Sequence, residues 1–280
     1  MRGPKMNEKT VQRFIAEGRG TGQGADYKPW ISVQDISSLG ESRRVPGLKI
    51  DREHQLLSNV EWHLFLLLEW STDIVDIREQ FPLDRDLTQE IAATLGIRHP
   101  FYPGTNVPTV MTVDMLVTRM HGGKEALEAY DAKRSEEAED ENSLAKLEIT
   151  RYYLENSGIP HHLVFHSALP QPEVTNIELI RGSALKPEEQ EPYPGFYEHH
   201  KHVMASMLER QQATGSLYQF CTFYDRSQSI SAGEGLRIAK MLMLDRILDA
   251  DLTNPDLVTA PMASFRIAKR KGGLKIVGGR

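Results

Sequence analysis

The chain has 280 residues, 40% of them hydrophobic, with a formal net charge of −6 and a single cysteine, Cys221. That length suits one large or two modest domains with a real core, and one cysteine excludes any disulfide within the chain, which fits a reducing cytoplasm. The acidic balance argues against sequence-blind coating of DNA, and no apolar run approaches the length of a membrane span, so a soluble, cytoplasmic protein is expected, with no membrane partner.

In chain order, residues 7–17 carry a short helical pattern. Residues 18–24, rich in glycine, read as a flexible loop. It is no phosphate-binding loop, because no Gly-Lys-Ser/Thr follows. A helix is expected from Ser58 to Trp70, with Val60, Leu64, Leu67 and Leu68 on one stripe and Ser58 and Glu61 at capping-box spacing. Residues 75–81 read as a strand and residues 91–108 as irregular. Two strands follow, 109–118 and 125–133, then a helix over 143–156 and a strand over 162–166. The prolines of residues 168–195 mark a linker. Beyond it come helices at 196–213 and 233–248, with a helix or strand at 217–225. Ser231 and Glu234 give a second capping-box spacing, and strand-like pieces occupy 248–253 and 261–267. The expected division is an arm over 1–50, a catalytic domain over 51–167, the linker, a winged-helix-like domain over 196–268 and a basic tail over 269–280. The fold class is α/β, a mixed sheet flanked by helices.

The chemistry concentrates on the hairpin. Gly122-Gly123 is a pair that makes two-residue turns, which pairs His121 with Lys124 and, stepping outward, Asp114 with Asp131. Lys133 lies two residues beyond Asp131, on the same face. Two carboxylates about 5 Å apart repel by roughly 3 kcal/mol at an effective dielectric near 20. A divalent cation, a shared proton or water must offset that. Two acids and a lysine on one sheet face form the layout of a metal-dependent phosphodiesterase. The alternative is a solvated, charged hairpin.

Glu61 on the first helix is a candidate third acid or simply part of a helix cap. The expected metal is Mg²⁺, which prefers hard oxygen ligands, with Mn²⁺ able to substitute. The histidines of 161–162 and 199–202 resemble a zinc site at first sight, but no cysteine partner or zinc motif supports one. Basic residues gather at the end of the chain, where residues 266–280 contain no acid, while Glu136, Glu137, Glu139, Asp140 and Glu141 form an acidic run. Arg43, Arg44, Lys269, Arg270 and Lys271 are candidate DNA contacts.

Several stretches in order resemble the TnsA family, the endonuclease subunits of heteromeric cut-and-paste transposases. They are residues 18–20, 27–31 and 35–40, the run Leu57-Ser58-Asn59-Val60-Glu61, residues 68–71, the run Asp76-Ile77-Arg78-Glu79-Gln80-Phe81-Pro82-Leu83, residues 111–114 and residues 147–153. The resemblance implies a restriction-endonuclease-like catalytic domain and a winged-helix-like domain after it. It implies Mg²⁺-dependent hydrolysis at the 5′ ends of a transposon. A DDE-type partner, TnsB, would cut and join the 3′ ends, and an AAA+ ATPase, TnsC, would bind the C-terminal domain. The family's helix acid maps to Glu61, its hairpin acid to Asp114 and its lysine to Lys133. Asp131 stands where some members carry glutamine, and Glu148 matches a further acid that is a possible accessory to the metal site, or else an i,i+3 surface pair with Arg151. A stand-alone nuclease and a non-catalytic bridge in the transposition complex are the rival readings.

Overall fold

The computed structural model describes residues 6–35, 41–134, 140–186, 188–210 and 214–268. Lys269, Arg270 and Lys271, and most of the acidic run, lie outside the described residues. The chain divides into two compact units, Met1–Leu169 and Pro170–Arg280.

The first unit is built on a four-stranded sheet of order β3-β4-β5-β6. Its elements are α1 (Glu8–Ala16), β1 (Arg43–Pro46), β2 (Glu53–Leu56), α2 (Asn59–Trp70), β3 (Ile74–Pro82), α3 (Arg85–Thr94), β4 (Thr112–His121), β5 (Lys124–Lys133), α4 (Glu141–Asn156) and β6 (His161–Phe165). The β3–β4 and β4–β5 pairings are antiparallel and β5–β6 is parallel. A parallel neighbour needs a crossover, and α4 supplies it. This mixed sheet with flanking helices fits a restriction-endonuclease-like architecture. Leu83, Ile91 and Ala92 around α3, Val113, Leu116 and Ala129 of the sheet, and Ile149 and Leu154 of α4 form one buried cluster.

The hairpin has the expected register. Gly122 and Gly123 both take left-handed backbone, φ 57° and 82°, which a two-residue turn of this twist requires. His121 pairs with Lys124, and the ladder runs without a slip to Met115 opposite Tyr130.

Three expectations for this unit fail. Residues 18–24 are not a loose loop: the Gly20 N–H donates to the Lys28 carbonyl at 2.6 Å, and Arg19 bonds the Trp30 carbonyl and Asp35. The Arg19 guanidinium also sits 3.5 Å from the centre of the Phe14 ring. The β1–β2 hairpin was not foreseen. Neither was α3, which enters the segment read as irregular; Asp84 caps it by accepting from the Leu87 N–H at 2.9 Å, and it buries Ile91 and Ala92.

The second unit holds α5 (Gln171–Arg181), α6 (Phe196–Arg210), α7 (Leu217–Ser227), α8 (Glu234–Leu244) and a two-stranded pair, β7 (Leu248–Asp249) and β8 (Arg266–Ile267). Helix α8 is its centre. It packs against α5, α6, α7 and β7 and buries Ile238, Ala239, Met241, Leu242 and Met243. Helix α5 lies where a linker was expected. Its Pro172 falls in the first turn, where the missing N–H costs nothing, and Val174, Ile177 and Ile180 are buried. Cys221 is buried, as expected.

Ser231 does not cap α8. The cap residue is Gly233, and the Asp225 carboxylate of α7 accepts from the N–H groups of Gly233 at 2.8 Å and Gly235 at 2.6 Å. The reciprocal capping box lies on α7 instead, between Ser216 and Gln219. The α7–α8 contact is close: a Cβ on Gly235 would lie 2.7 Å from the Cys221 carbonyl oxygen and 2.7 Å from Asp225 Oδ1. Gly235→Ala is therefore expected to push the two helices apart and lower unfolding stability by about 1–3 kcal/mol. Urea denaturation tests this, and an unchanged midpoint would show that the helices separate freely.

Candidate active site

Three secondary-structure elements bring the candidate residues together. Glu61 lies in the first turn of α2, Asp114 near the start of β4, and Asp131 and Lys133 at the end of β5. The backbone ladder between β4 and β5 stops at Met115–Tyr130, and side chains continue it. The Asp114 N–H donates to Asp131 Oδ1 at 3.3 Å, and the Ala132 N–H donates to Asp114 Oδ2 at 2.8 Å. Lys133 Nζ lies 3.7 Å from Asp114 Oδ2. Each hairpin carboxylate thus accepts from a backbone N–H of the opposite strand.

Their repulsion is offset by groups of the chain itself. Besides the two N–H groups and Lys133, His161 at the start of β6 places Nε2 2.7 Å from Asp131 Oδ2. Both oxygens of Asp131 are thus engaged.

Glu61 is 6% exposed. Ser58 caps α2 by accepting from the Glu61 N–H at 3.1 Å, and its hydroxyl donates to Glu61 Oε1 at 3.2 Å. Oε2 accepts from the Leu57 N–H at 2.9 Å and from Gln80 Nε2 at 3.3 Å. Burial, and next the charge of Asp114, hold the Glu61 carboxyl well above the usual carboxylate range, while the Leu57 N–H, the Ser58 hydroxyl and Lys133 pull it partly back. Glu61 is therefore both part of the helix cap and an electrostatic neighbour of Asp114 and Lys133.

A buried acid whose ionisation is opposed by a second acid suits a cation. Two hard oxygen donors beside a lysine fit Mg²⁺ better than zinc. Among the described residues no group of three or more His, Cys, Asp or Glu is arranged to hold a metal ion. Asp131, expected to share the ion with Asp114, accepts from the Asp114 N–H and lies beside His161. The histidines of α6 do not form a site either: His200 is buried with Nδ1 2.9 Å from the Tyr224 hydroxyl.

Glu148, the accessory candidate, is engaged elsewhere. It pairs with Arg151 at 2.8 Å on the partly exposed side of α4, and Arg151 also holds Glu155 at 2.7 Å. Arg43 donates to Asn59 Oδ1 at 2.5 Å and lies 5.1 Å from the centre of the Trp62 ring, so it flanks the start of α2. Arg44 is half exposed and 3.7 Å from Glu53.

Two residues at the site escaped the sequence reading as functional candidates. His161 was visible only as half of a His-His pair. Gln80 sits in β3 between Glu79, opposite Met115, and Phe81, opposite Val113, which puts it across from Asp114.

Residues 71–166 match the family model described as the TnsA-like endonuclease N-terminal domain. This stretch is similar to a TnsA-like endonuclease domain. It takes in Asp114, Asp131, Lys133 and His161, whereas Glu61 precedes it. The chain is also 40% identical over 175 residues to the transposon Tn7 transposition protein TnsA of Escherichia coli, across 62% of this chain and 63% of that relative. The match thus spans under two thirds of the relative's length. The TnsA-like domain contains β3 to β6, the sheet that carries both hairpin acids.

Proposed function

We propose that this chain is the metal-dependent DNA endonuclease subunit of a heteromeric transposase, hydrolysing the 5′ ends of the transposon. The observation that carries the reading is that the charges of Asp114 and Lys133, inside the stretch that matches the TnsA-like domain, act on the buried Glu61 carboxyl just before it. Glu61 and Asp114 would hold Mg²⁺ or Mn²⁺, with Asp131 beside them as a further oxygen donor. The ion, when bound, supplies an activated water and neutralises charge on the phosphate.

The chain's own residues supply the rest. Lys133 places a positive charge beside Asp114, where negative charge on the phosphate oxygens grows in the transition state. His161 and the Asp114 N–H hold Asp131 in one orientation. The Ala132 N–H fixes Oδ2 of Asp114. Arg43 and Arg44 on β1 would contact the DNA backbone, which positions a duplex without reading its sequence. Glu148 assists only if its pair with Arg151 opens.

A DDE-type transposase would cut the 3′ ends, and an AAA+ ATPase would dock on the second unit. There, four helices followed by a short antiparallel pair support a winged-helix-like domain. Among the described residues no helix is long and apolar enough to cross a membrane.

Strand-resolved cleavage of transposon-end DNA tests the proposal. The chain is expected to cut near the 5′ end with Mg²⁺ and its transposase partner, and to stop when EDTA is added. Cleavage without the partner would favour a stand-alone nuclease. Tight binding to the partner or DNA, with no cleavage under any condition, would favour a non-catalytic bridge.

A further inference from the structure

Gln80 is a buried strand residue, 3% exposed, with φ +49°. Positive φ is uncommon outside glycine, and a strained residue persists only where its surroundings fix it. Here they do. The Gln80 carbonyl is turned to the N-terminal arm and accepts from the Trp30 N–H at 3.2 Å. The side chain is held at both ends: Oε1 accepts from Thr112 Oγ1 at 3.4 Å, and Nε2 donates to Glu61 Oε2 at 3.3 Å.

The donors on Glu61 are not equivalent. The Leu57 N–H and the Ser58 hydroxyl come from the same chain turn and fix the carboxylate only to the start of α2. Gln80 comes from the sheet, on the strand beside Asp114 and at the position opposite it. Its amide ties the Glu61 carboxylate to the sheet that carries Asp114 and Lys133. Because the amide is neutral, it orients the carboxylate without competing as a counter-charge.

We propose that Gln80 is a positioning residue that sets the Glu61 carboxylate against Asp114 for cation binding. The proposal rests on the endonuclease reading of the site.

Two variants test it with different structural risks. Gln80→Asn keeps an amide and tolerates left-handed backbone, but falls short of Glu61. Gln80→Met keeps the length and removes the donor. Both are expected to leave the metal-free thermal midpoint of the full chain within a few degrees of wild type. Both are expected to raise the Mg²⁺ concentration for half-maximal 5′ cleavage about tenfold, the usual scale for loss of a group that orients a metal ligand. The rise in thermal midpoint produced by Mg²⁺ alone is expected to shrink in parallel. Wild-type half-saturation in both folded variants, or lost metal-free stability as their sole effect, would overturn the proposal. An Asp114→Ala control separates the two levels. If that variant is inactive while the Gln80 variants match wild type, positioning by Gln80 fails and the nuclease reading stands. If Asp114→Ala still cleaves, both fail.

Discussion

Asp114→Ala is expected to abolish 5′-strand cleavage, by at least about a thousandfold, while the partner's 3′ nicks persist. Asp114 is the residue on which the cluster converges: it faces Lys133 at 3.7 Å, exchanges bonds with the Asp131–Ala132 segment, and raises the pKa of Glu61 through its charge. Losing one preorganised group at a reacting phosphate typically costs a hundred- to a thousandfold, and here a proposed metal ligand goes as well. Without 5′ cuts the element stays joined to its flanks, so the product in a transposition assay is expected to shift from simple insertions to cointegrates. Alanine also leaves the Ala132 N–H without its acceptor, a cost of about 1–3 kcal/mol. Asp114→Asn removes the charge but keeps an acceptor for that N–H. An inactive, stably folded Asp114→Asn chain would place the defect in chemistry rather than folding. Retention of 5′ cleavage by either variant would sink the enzymatic reading.

The hairpin was legible in the sequence because its register depends on local facts. Two adjacent glycines set the turn, and the loop length fixes the register of a hairpin. Asp114, Asp131 and Lys133 followed by counting. Glu61 was legible as a helix-start residue, since Ser58 precedes it by three. What failed depended on contacts distant in sequence. His161 reaches Asp131 only because α4 returns the chain to a parallel strand, a pairing no local pattern encodes. Gln80 occupies an ordinary position in a mostly buried strand, and nothing in the residue itself announces positive φ. The two units divide at Leu169/Pro170, within the expected 168–195 stretch, but Pro170 and Pro172 were misread as linker because proline at a helix start looks the same until the buried face, Val174, Ile177 and Ile180, is seen packed. Glycines 18–24 misled in the same way, since their anchoring comes from Arg19, Trp30 and Asp35.

Arg52→Ala is expected to destabilise the first unit by about 3–5 kcal/mol at neutral pH. Glu79 of β3 is fully buried, and Arg52 is its ionic partner, 6% exposed. Arg52 donates to both Glu79 oxygens and to the Ile77 carbonyl, while His54 Nδ1 lies 3.0 Å from Oε2 and the Gln55 N–H donates to Oε1 at 2.9 Å. The Tyr27 hydroxyl donates to the Glu79 carbonyl at 3.0 Å, so the network joins the N-terminal arm, β2 and β3 directly beside Gln80. Burial pushes the Glu79 carboxyl up, but Arg52 and then His54 more than offset this and bring it down to about 2. Removing one partner of a buried pair strands the other charge, which is the costly case. The sign of the pH dependence follows. In the wild type a depressed carboxyl contributes stability above its ordinary value of 4.5, lost as the pH falls from there toward 2. In Arg52→Ala the folded-state value rises, so protonating Glu79 relieves the stranded charge. The gap to wild type is therefore expected to be widest at neutral pH and to narrow as the pH approaches 4.5. Urea unfolding of both chains across that range measures it. A deficit under about 1 kcal/mol at neutral pH, or one that does not change with pH, would mean that Glu79 finds compensation elsewhere and that the Arg52 bridge is not what holds the arm and β2 against the sheet.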